Sequence, residues 1–102
     1  MIISTTEQVG KDYEVLGIVK GGTVQTVNVV KDFGASLKTI VGGELTKYNE
    51  MMDDARKIAT TRMVQEAEAL GADAIVGMRY SSASIMQSAA EIIAYGTAVK
   101  FI

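Results

Sequence analysis

The first regular pattern in the chain is an alternation of apolar and polar residues that begins at Tyr13 and continues to Val30. A period of two places successive side chains on opposite faces of an extended strand. One face would then carry Tyr13, Val15, Gly17 and Val19. Gly21 and Gly22 interrupt the alternation, as a bend or a bulge would. The segment is therefore interpreted either as one long bent strand or as two strands.

A short helix is predicted after Asp32, which is a favourable N-cap residue. The apolar residues at helical spacing are Phe33, Leu37, Ile40 and Val41. Gly42 follows them directly, where a glycine commonly ends a helix.

A much longer helix is predicted from Leu45 to Leu70, about seven turns at roughly 3.6 residues per turn. The residues close to one helical line are Tyr48, Met52, Ala55, Ala59, Met63 and Leu70. This stripe is typical of a helix that packs one face on a core. Gly71 is expected to end it.

Two strands are predicted in the last third of the chain. The first is ADAIVGMRYSS, with Ala74, Val76, Met78 and Tyr80 on one face, and Ser81 to Ser84 is expected to form a turn. The second is AAEIIAYGTAVKFI, whose faces are Ile92, Ala94, Gly96, Ala98 and Ile93, Tyr95, Thr97, Val99, Phe101. Both faces are largely apolar. Because one helix covers only one face of a sheet, the other face predicts contact with another subunit.

The length of the chain predicts one small domain that spans residues 1–102.

The composition narrows the possible chemistry. The chain has 102 residues, a formal net charge of −2, no His and no Cys. A Ser-His-Asp triad, a thiolate nucleophile and a His/Cys zinc site are therefore excluded. The ten Lys and Arg form no basic run and aromatic residues make up 6%, so no nucleic-acid partner is expected. Neither a signal peptide nor a membrane span is predicted, and we expect a cytoplasmic protein.

A few polar residues in apolar surroundings are candidates for ligand or interface contacts. Arg62 and Glu66 lie four residues apart in the apolar stripe of the long helix. Buried charges are costly unless paired, so they would either pair at a core edge or subunit interface, or anchor a ligand in a pocket. Glu91, with Tyr95 four residues on, is either an interface residue or a buried acid or base. Thr97, on the same face as Tyr95, completes the set.

Three other features are more weakly suggestive of a site. The acidic residues between positions 50 and 54 could gather a hard cation, but a solvated helix face explains them. The six Met could attract a soft metal, but flexible core filling explains them. Gly42 and Gly43 precede a helix, yet Glu44 follows and no Gly-Lys-Ser/Thr pattern is present. We therefore expect this glycine pair to turn the chain rather than bind phosphate.

Three stretches together resemble the YbjQ-like family of small bacterial and archaeal proteins. They are DFGASLKTIVGGELTKYNEMMDDARKIA, EALGADAIVGMRYSSASIM and AAEIIAYGTAVKFI. The resemblance covers nearly the whole chain. It implies a dodecin-subunit-like α+β fold, in which one long helix packs on one face of an antiparallel sheet of about three to four strands. It also implies a ring-shaped homo-oligomer, a pentamer. The family carries a heavy-metal-binding label and has no established catalytic motif, so no residue is carried over as catalytic.

The sequence and this resemblance favour a non-enzymatic, cytoplasmic ring that either binds a small ligand between subunits or acts as an assembly, and the resemblance implies five subunits. The alternative is a metal-ion-binding protein, as the family label suggests, with carboxylate or Met ligands. A third hypothesis is an enzyme that uses Glu91, Tyr95 or the pair Arg62 and Glu66 at a subunit interface. Neither a cofactor nor a specific metal ligand is identified.

Overall fold

The computed structural model describes residues 1–26, 43–86 and 89–102. The short helix predicted after Asp32 and the part of the first strand beyond Thr26 lie outside the described residues. The elements are β1 (Ile2–Ile3), β2 (Tyr13–Thr26), α1 (Gly43–Ala69), β3 (Ala74–Met86) and β4 (Ala89–Phe101).

The strands form one sheet in the order β1–β3–β4–β2. β4 is antiparallel to both of its neighbours, and the two-residue β1 is parallel to β3. The α+β class and the long helix packed on the sheet are confirmed, and the parallel pair makes the sheet mixed. β2 and β3 run in the same direction on either side of β4, and β2 is an edge strand.

β2 is one strand rather than two, and its irregularity does not lie at the glycine pair. The register with β4 shifts between Val15 and Gly17 and then continues without interruption to Thr26. The extra residue of this bulge reverses which face each later side chain occupies. Val15 therefore lies opposite to the helix, whereas Val19 packs under the helix. The predicted common face for these residues is wrong.

β3 contradicts two predictions from the sequence. A register shift between Val76 and Arg79, with Gly77 at φ +62, places Val76 and Met78 on opposite faces. The turn predicted at residues 81–84 is wrong, because β3 continues to Met86 and pairs with β4 along this stretch. Strand pairing here overrides the local turn preference of serine.

α1 ends where the sequence predicts. The Gly71 N–H donates to the Glu68 carbonyl at 3.0 Å, and the Ala72 N–H donates to the Ala67 carbonyl at 3.1 Å. These are the two hydrogen bonds of a Schellman motif. Gly71 has φ +78, which a glycine adopts without steric cost.

The main core lies between α1 and the sheet, and its helix side is built from small residues and one Met. Ala55, Ala59, Met63 and Ala67 are fully buried. They pack on the sheet residues Val19, Ile75, Ile92, Ala94 and Ala98. The small residues let the helix approach β2 closely. A Cβ at Gly21 would overlap the Ala59 carbonyl oxygen and the Met63 backbone nitrogen, and would lie 2.7 Å from the Arg62 Cβ.

Candidate ligand site at the edge of the sheet

The sheet face opposite α1, called the outer face from here on, is covered at one end by the residues that the structure describes. Ala74, Val76 and Val99 are buried there beneath Val9 and Tyr13. The chain itself thus covers part of the face that the sequence assigned to another subunit. The described residues leave the rest of the outer face open, along β2 from Val15 onward and along β4 from Thr97 back to Glu91. Its exposed apolar residues are Val15 (65% exposed), Ile18 (79%), Val24 (53%) and Tyr95 (41%).

Three of the candidate residues lie on this outer face. Tyr95 pairs with Lys20 of β2, Thr97 pairs with Ile18, and Glu91 pairs with Val24. The predicted division of β4 into two faces is therefore confirmed. Glu91 is half-buried, and its carboxylate makes no hydrogen bond or ion pair to the described residues.

Arg62 and Glu66 are exposed, so the prediction that they are buried in the apolar stripe is wrong. α1 lies over the edge strand β2, and this side of the helix extends to the sheet edge. The Arg62 Nη1 group donates to the Gly22 carbonyl at 2.6 Å. The Lys20 backbone N–H donates to Glu66 Oε1 at 3.2 Å.

These two hydrogen bonds replace those that a neighbouring strand would make. An edge strand presents unpaired N–H and C=O groups, which attract other strands. Arg62 and Glu66 satisfy one donor and one acceptor on that edge. They form no ion pair with each other in the described part of the chain, although their spacing would allow one.

A small cavity, called the Gly22 notch from here on, opens at this edge. Gly22 lies on the outer face between Lys20 and Val24 and has no side chain to fill the space above Ile93. A Cβ added there would only reach ordinary contact with Ile93 Cγ1, at 3.6 Å. The cavity has a volume of about 410 Å³ and is lined by Lys20, Gly21, Gly22, Arg62, Glu66, Glu91 and Ile93.

The notch brings together Arg62, Glu66 and Glu91 from the sequence candidates, whereas Tyr95 and Thr97 lie farther along the outer face. The notch also contains Lys20 and Gly22, which sequence reasoning did not select. A lysine and a glycine within an otherwise β-branched strand were the available signal, since each weakens the strand pattern.

The charges around the notch balance but do not pair. Two cations, Lys20 and Arg62, and two carboxylates, Glu66 and Glu91, line the same cavity. Within the described residues, the ion pairs are Arg56 with Asp53 and Lys100 with Asp73, all outside the notch. The four charged groups are therefore available to a ligand, and their formal charges sum to zero.

The other candidates from the sequence do not form a site. The acidic residues at positions 50, 53 and 54 are exposed, and Asp53 pairs with Arg56 at 2.8 Å. Residues 1–26, 43–86 and 89–102 contain no group of three or more His, Cys, Asp or Glu that could hold a metal ion. Met51, Met63 and Met78 are buried among apolar residues and Met52 is half-buried, whereas Met1 and Met86 are exposed, so core filling explains only part of the set.

Comparison with known proteins identifies the family. The YbjQ family model, described as "Putative heavy-metal-binding", matches residues 1–102. The chain belongs to the YbjQ-like family.

YbjQ-like relatives match the chain along most of its length. A UPF0145 protein of Clostridium novyi (strain NT) is 56% identical over 103 residues, covering 100% of this chain and 100% of the relative. A UPF0145 protein of Clostridioides difficile (strain 630) is 59% identical over 101 residues, covering 97% and 90%. A UPF0145 protein of Thermotoga maritima is 55% identical over 102 residues, covering 98% and 96%.

A solved structure shares the fold of this YbjQ-like chain. It is a protein of unknown function from Pediococcus pentosaceus ATCC 25745, assigned to the DUF74 family. The TM-score is 0.68 at 16% sequence identity, with 100% of this chain and 98% of that chain covered.

The dodecin-like relationship implied by the family resemblance stays a prediction. In the part of the chain that the structure describes, α1 lacks the long apolar stretch that a bilayer crossing needs.

Proposed function

We propose that this YbjQ-like chain is a non-enzymatic cytoplasmic protein that assembles into a pentameric ring and binds a small ligand between subunits. The observation that supports it best is the open part of the outer face, where Ile18, Val15 and Val24 are mostly exposed. Lys20 lies between Ile18 and Val24 on this face, and exposed apolar residues rimmed by polar ones are typical of interaction sites.

The dimensions of the chain also support a second copy as the partner. The Cα radius of gyration is 17.1 Å. A compact domain of about 100 residues has a value of about 13 Å. The described part of the chain is therefore more extended than a compact domain of that size. Each Å² of apolar surface removed from water contributes roughly 25 cal/mol.

Residues 80–86 of β3 support a ring rather than a simple dimer. β1 pairs only with Ala74 and Ile75, and residues 80–86 are exposed. An exposed strand edge favours pairing with another strand. A contact between this edge and a different surface of the next copy is head-to-tail, and such contacts close into rings when the rotation permits.

The Gly22 notch is the proposed ligand site. It lies where the β2 edge meets the open part of the outer face. A neighbouring subunit on that face would add a wall to the notch and exclude water from it. Interactions among charges are stronger in such a site than in open solvent.

Metal binding is the second candidate, and the family description supports it. Carboxylates or thioethers from more than one subunit would have to supply the ligands. Titration with Cu(I), Zn²⁺ and Ni²⁺, followed by metal analysis of the washed protein, tests this. Stoichiometric retention would support metal binding, and complete loss on washing would remove it.

Native mass spectrometry of untagged, gently purified protein tests the assembly. The expected result is a complex of five chains of 10.9 kDa each, with additional non-covalent mass when ligand is retained. A monomer at micromolar concentration would contradict the ring. Replacement of Glu91 by Gln tests the enzyme hypothesis, since loss of an activity with the ring intact would support a catalytic carboxylate and loss of assembly would support a structural role.

A further inference from the structure

We infer that the Gly22 notch selects a small zwitterion, a molecule with one ammonium and one carboxylate group joined by a short aliphatic chain. The inference rests on the proposed function, because it names the chemical class of the ligand at the proposed site. Its basis is the arrangement of unpaired opposite charges around an apolar floor.

The charges on the outer face are separated along the strands. On the outer face, Lys20 precedes Gly22 by two residues. Val24 follows Gly22 by two residues and pairs with Glu91 of β4. Two residues span about 7 Å of strand. A cation and an anion thus flank the space above Gly22, and the flexible stems of both side chains shorten the gap. A ligand of opposite polarity would lie along the strand between them.

The helix adds a second cation and a second anion at the β2 edge, with Arg62 at Gly22 and Glu66 at Lys20. Arg62 uses Nη1 to bond the Gly22 carbonyl, and a guanidinium has further N–H groups to donate. Glu66 accepts the Lys20 N–H through Oε1 and retains a second oxygen. A simple anion would face two carboxylates and a simple cation would face two cations. A zwitterion that lies along the strands would place its carboxylate at Lys20 and its ammonium at Glu91.

The apolar surface of Ile93 and the volume of the notch determine which uncharged part of a ligand fits between the charges. Ile93, half-buried on β4, provides an apolar surface opposite Gly22. The volume of about 410 Å³ falls in the lower part of the roughly 300–1,000 Å³ range of small-molecule sites. A short methylene chain fits this space, whereas a side chain on residue 22 would occupy it.

Calorimetric titration of the assembled full-length protein with three matched probes tests the inference. The probes are γ-aminobutyrate, butyrate and butylamine, which share a four-carbon chain and differ in their charged groups. We expect γ-aminobutyrate to bind at least roughly tenfold more tightly than either other probe. Equal binding of butyrate or butylamine, or no binding of γ-aminobutyrate at about 10 mM, would overturn the inference.

Two variants locate the site. Gly22→Leu fills the notch without approaching the helix backbone and should abolish the binding of γ-aminobutyrate. Lys20→Gln removes one cation and should reduce the preference over butylamine while leaving the fold unchanged. Lys100→Gln is the matched control, because Lys100 is an exposed lysine outside the notch. Unchanged selectivity in both Gly22→Leu and Lys20→Gln would place the binding elsewhere and overturn the inference.

Native mass spectra of the same samples separate the two proposals. A ring that shows no preference for γ-aminobutyrate overturns the zwitterion site and leaves the assembly supported. A monomer that retains the preference overturns the ring and leaves the notch supported.

Discussion

The side chains on the two faces of β4 are buried to different degrees within one chain. On the helix face, Ile92 is 1% exposed and Ala94 and Ala98 are fully buried. On the outer face, Tyr95 remains 41% exposed and Ile93 is only half-buried. The same strand is therefore buried in the core on one side, whereas its other side stays partly exposed in the described residues.

The composition of the faces explains this difference. The helix face uses alanine and glycine, which bring α1 close to the sheet and leave no space for another element. The outer face uses branched and charged residues that remain accessible beyond the end covered by Val9 and Tyr13. We therefore expect substitutions on the helix face to act on folding and substitutions on the outer face to act on binding or assembly.

The neighbouring residues Gly21 and Gly22 give the largest expected contrast between these faces. Gly21→Ala places a methyl group against backbone atoms of Ala59 and Met63, which cannot move independently of the helix. We expect a loss of about 3 kcal/mol or more in the free energy of unfolding, the upper range for overpacking. Urea denaturation followed by circular dichroism measures it.

Gly22→Ala is the matched control, because its methyl group reaches only Ile93 at an ordinary contact distance. The expected change is within about 1 kcal/mol, since an alanine fits the strand at least as well as a glycine. Equal stability of the two variants would contradict the close helix approach at Gly21.

Ile18→Lys tests the outer face directly. Ile18 is 79% exposed in one chain, so a lysine there should leave the secondary structure unchanged. If this face is buried between subunits, the new charge should convert the assembly to smaller species in sedimentation velocity. Ile102→Lys is the control, because Ile102 is 89% exposed at the chain end outside the open face. Assembly that resists Ile18→Lys would place the interface elsewhere.

The sequence predicts well those features that depend on local periodicity. The bounds of α1, its end at Gly71 and the division of β4 into two faces all follow from residue spacing. Each depends on residues close together in the chain. The exposed, incomplete outer face also has a sequence signal, because both sides of β4 are apolar.

The errors arise from contacts between distant segments. The bulges after Val15 and Val76 depend on how two strands align, and each reverses the face assigned to later residues. The exposure of Arg62 and Glu66 depends on where α1 crosses the edge of β2, which periodicity within the helix does not determine. The Gly22 notch requires the same crossing, so only its individual residues were visible in the sequence.

The smallest expected effects concern the hydrogen bonds of Arg62 and Glu66 to β2. Arg62→Met and Glu66→Met each remove one hydrogen bond and should each reduce stability by about 1 kcal/mol, its typical net contribution. Since the two side chains contact separate backbone groups and not each other, the double variant should equal their sum within about 0.5 kcal/mol.

Arg56→Met serves as the comparison for this pair of variants, because Arg56 makes only an exposed ion pair with Asp53 and should cost at most about 0.5 kcal/mol. The double variant also leaves one donor and one acceptor of the β2 edge unpaired, and we expect increased self-association by light scattering. A coupling energy well above 0.5 kcal/mol would instead indicate that Arg62 and Glu66 interact with each other, as their spacing in the sequence suggests. Additive losses with increased association would assign both residues to protection of the sheet edge beside the notch.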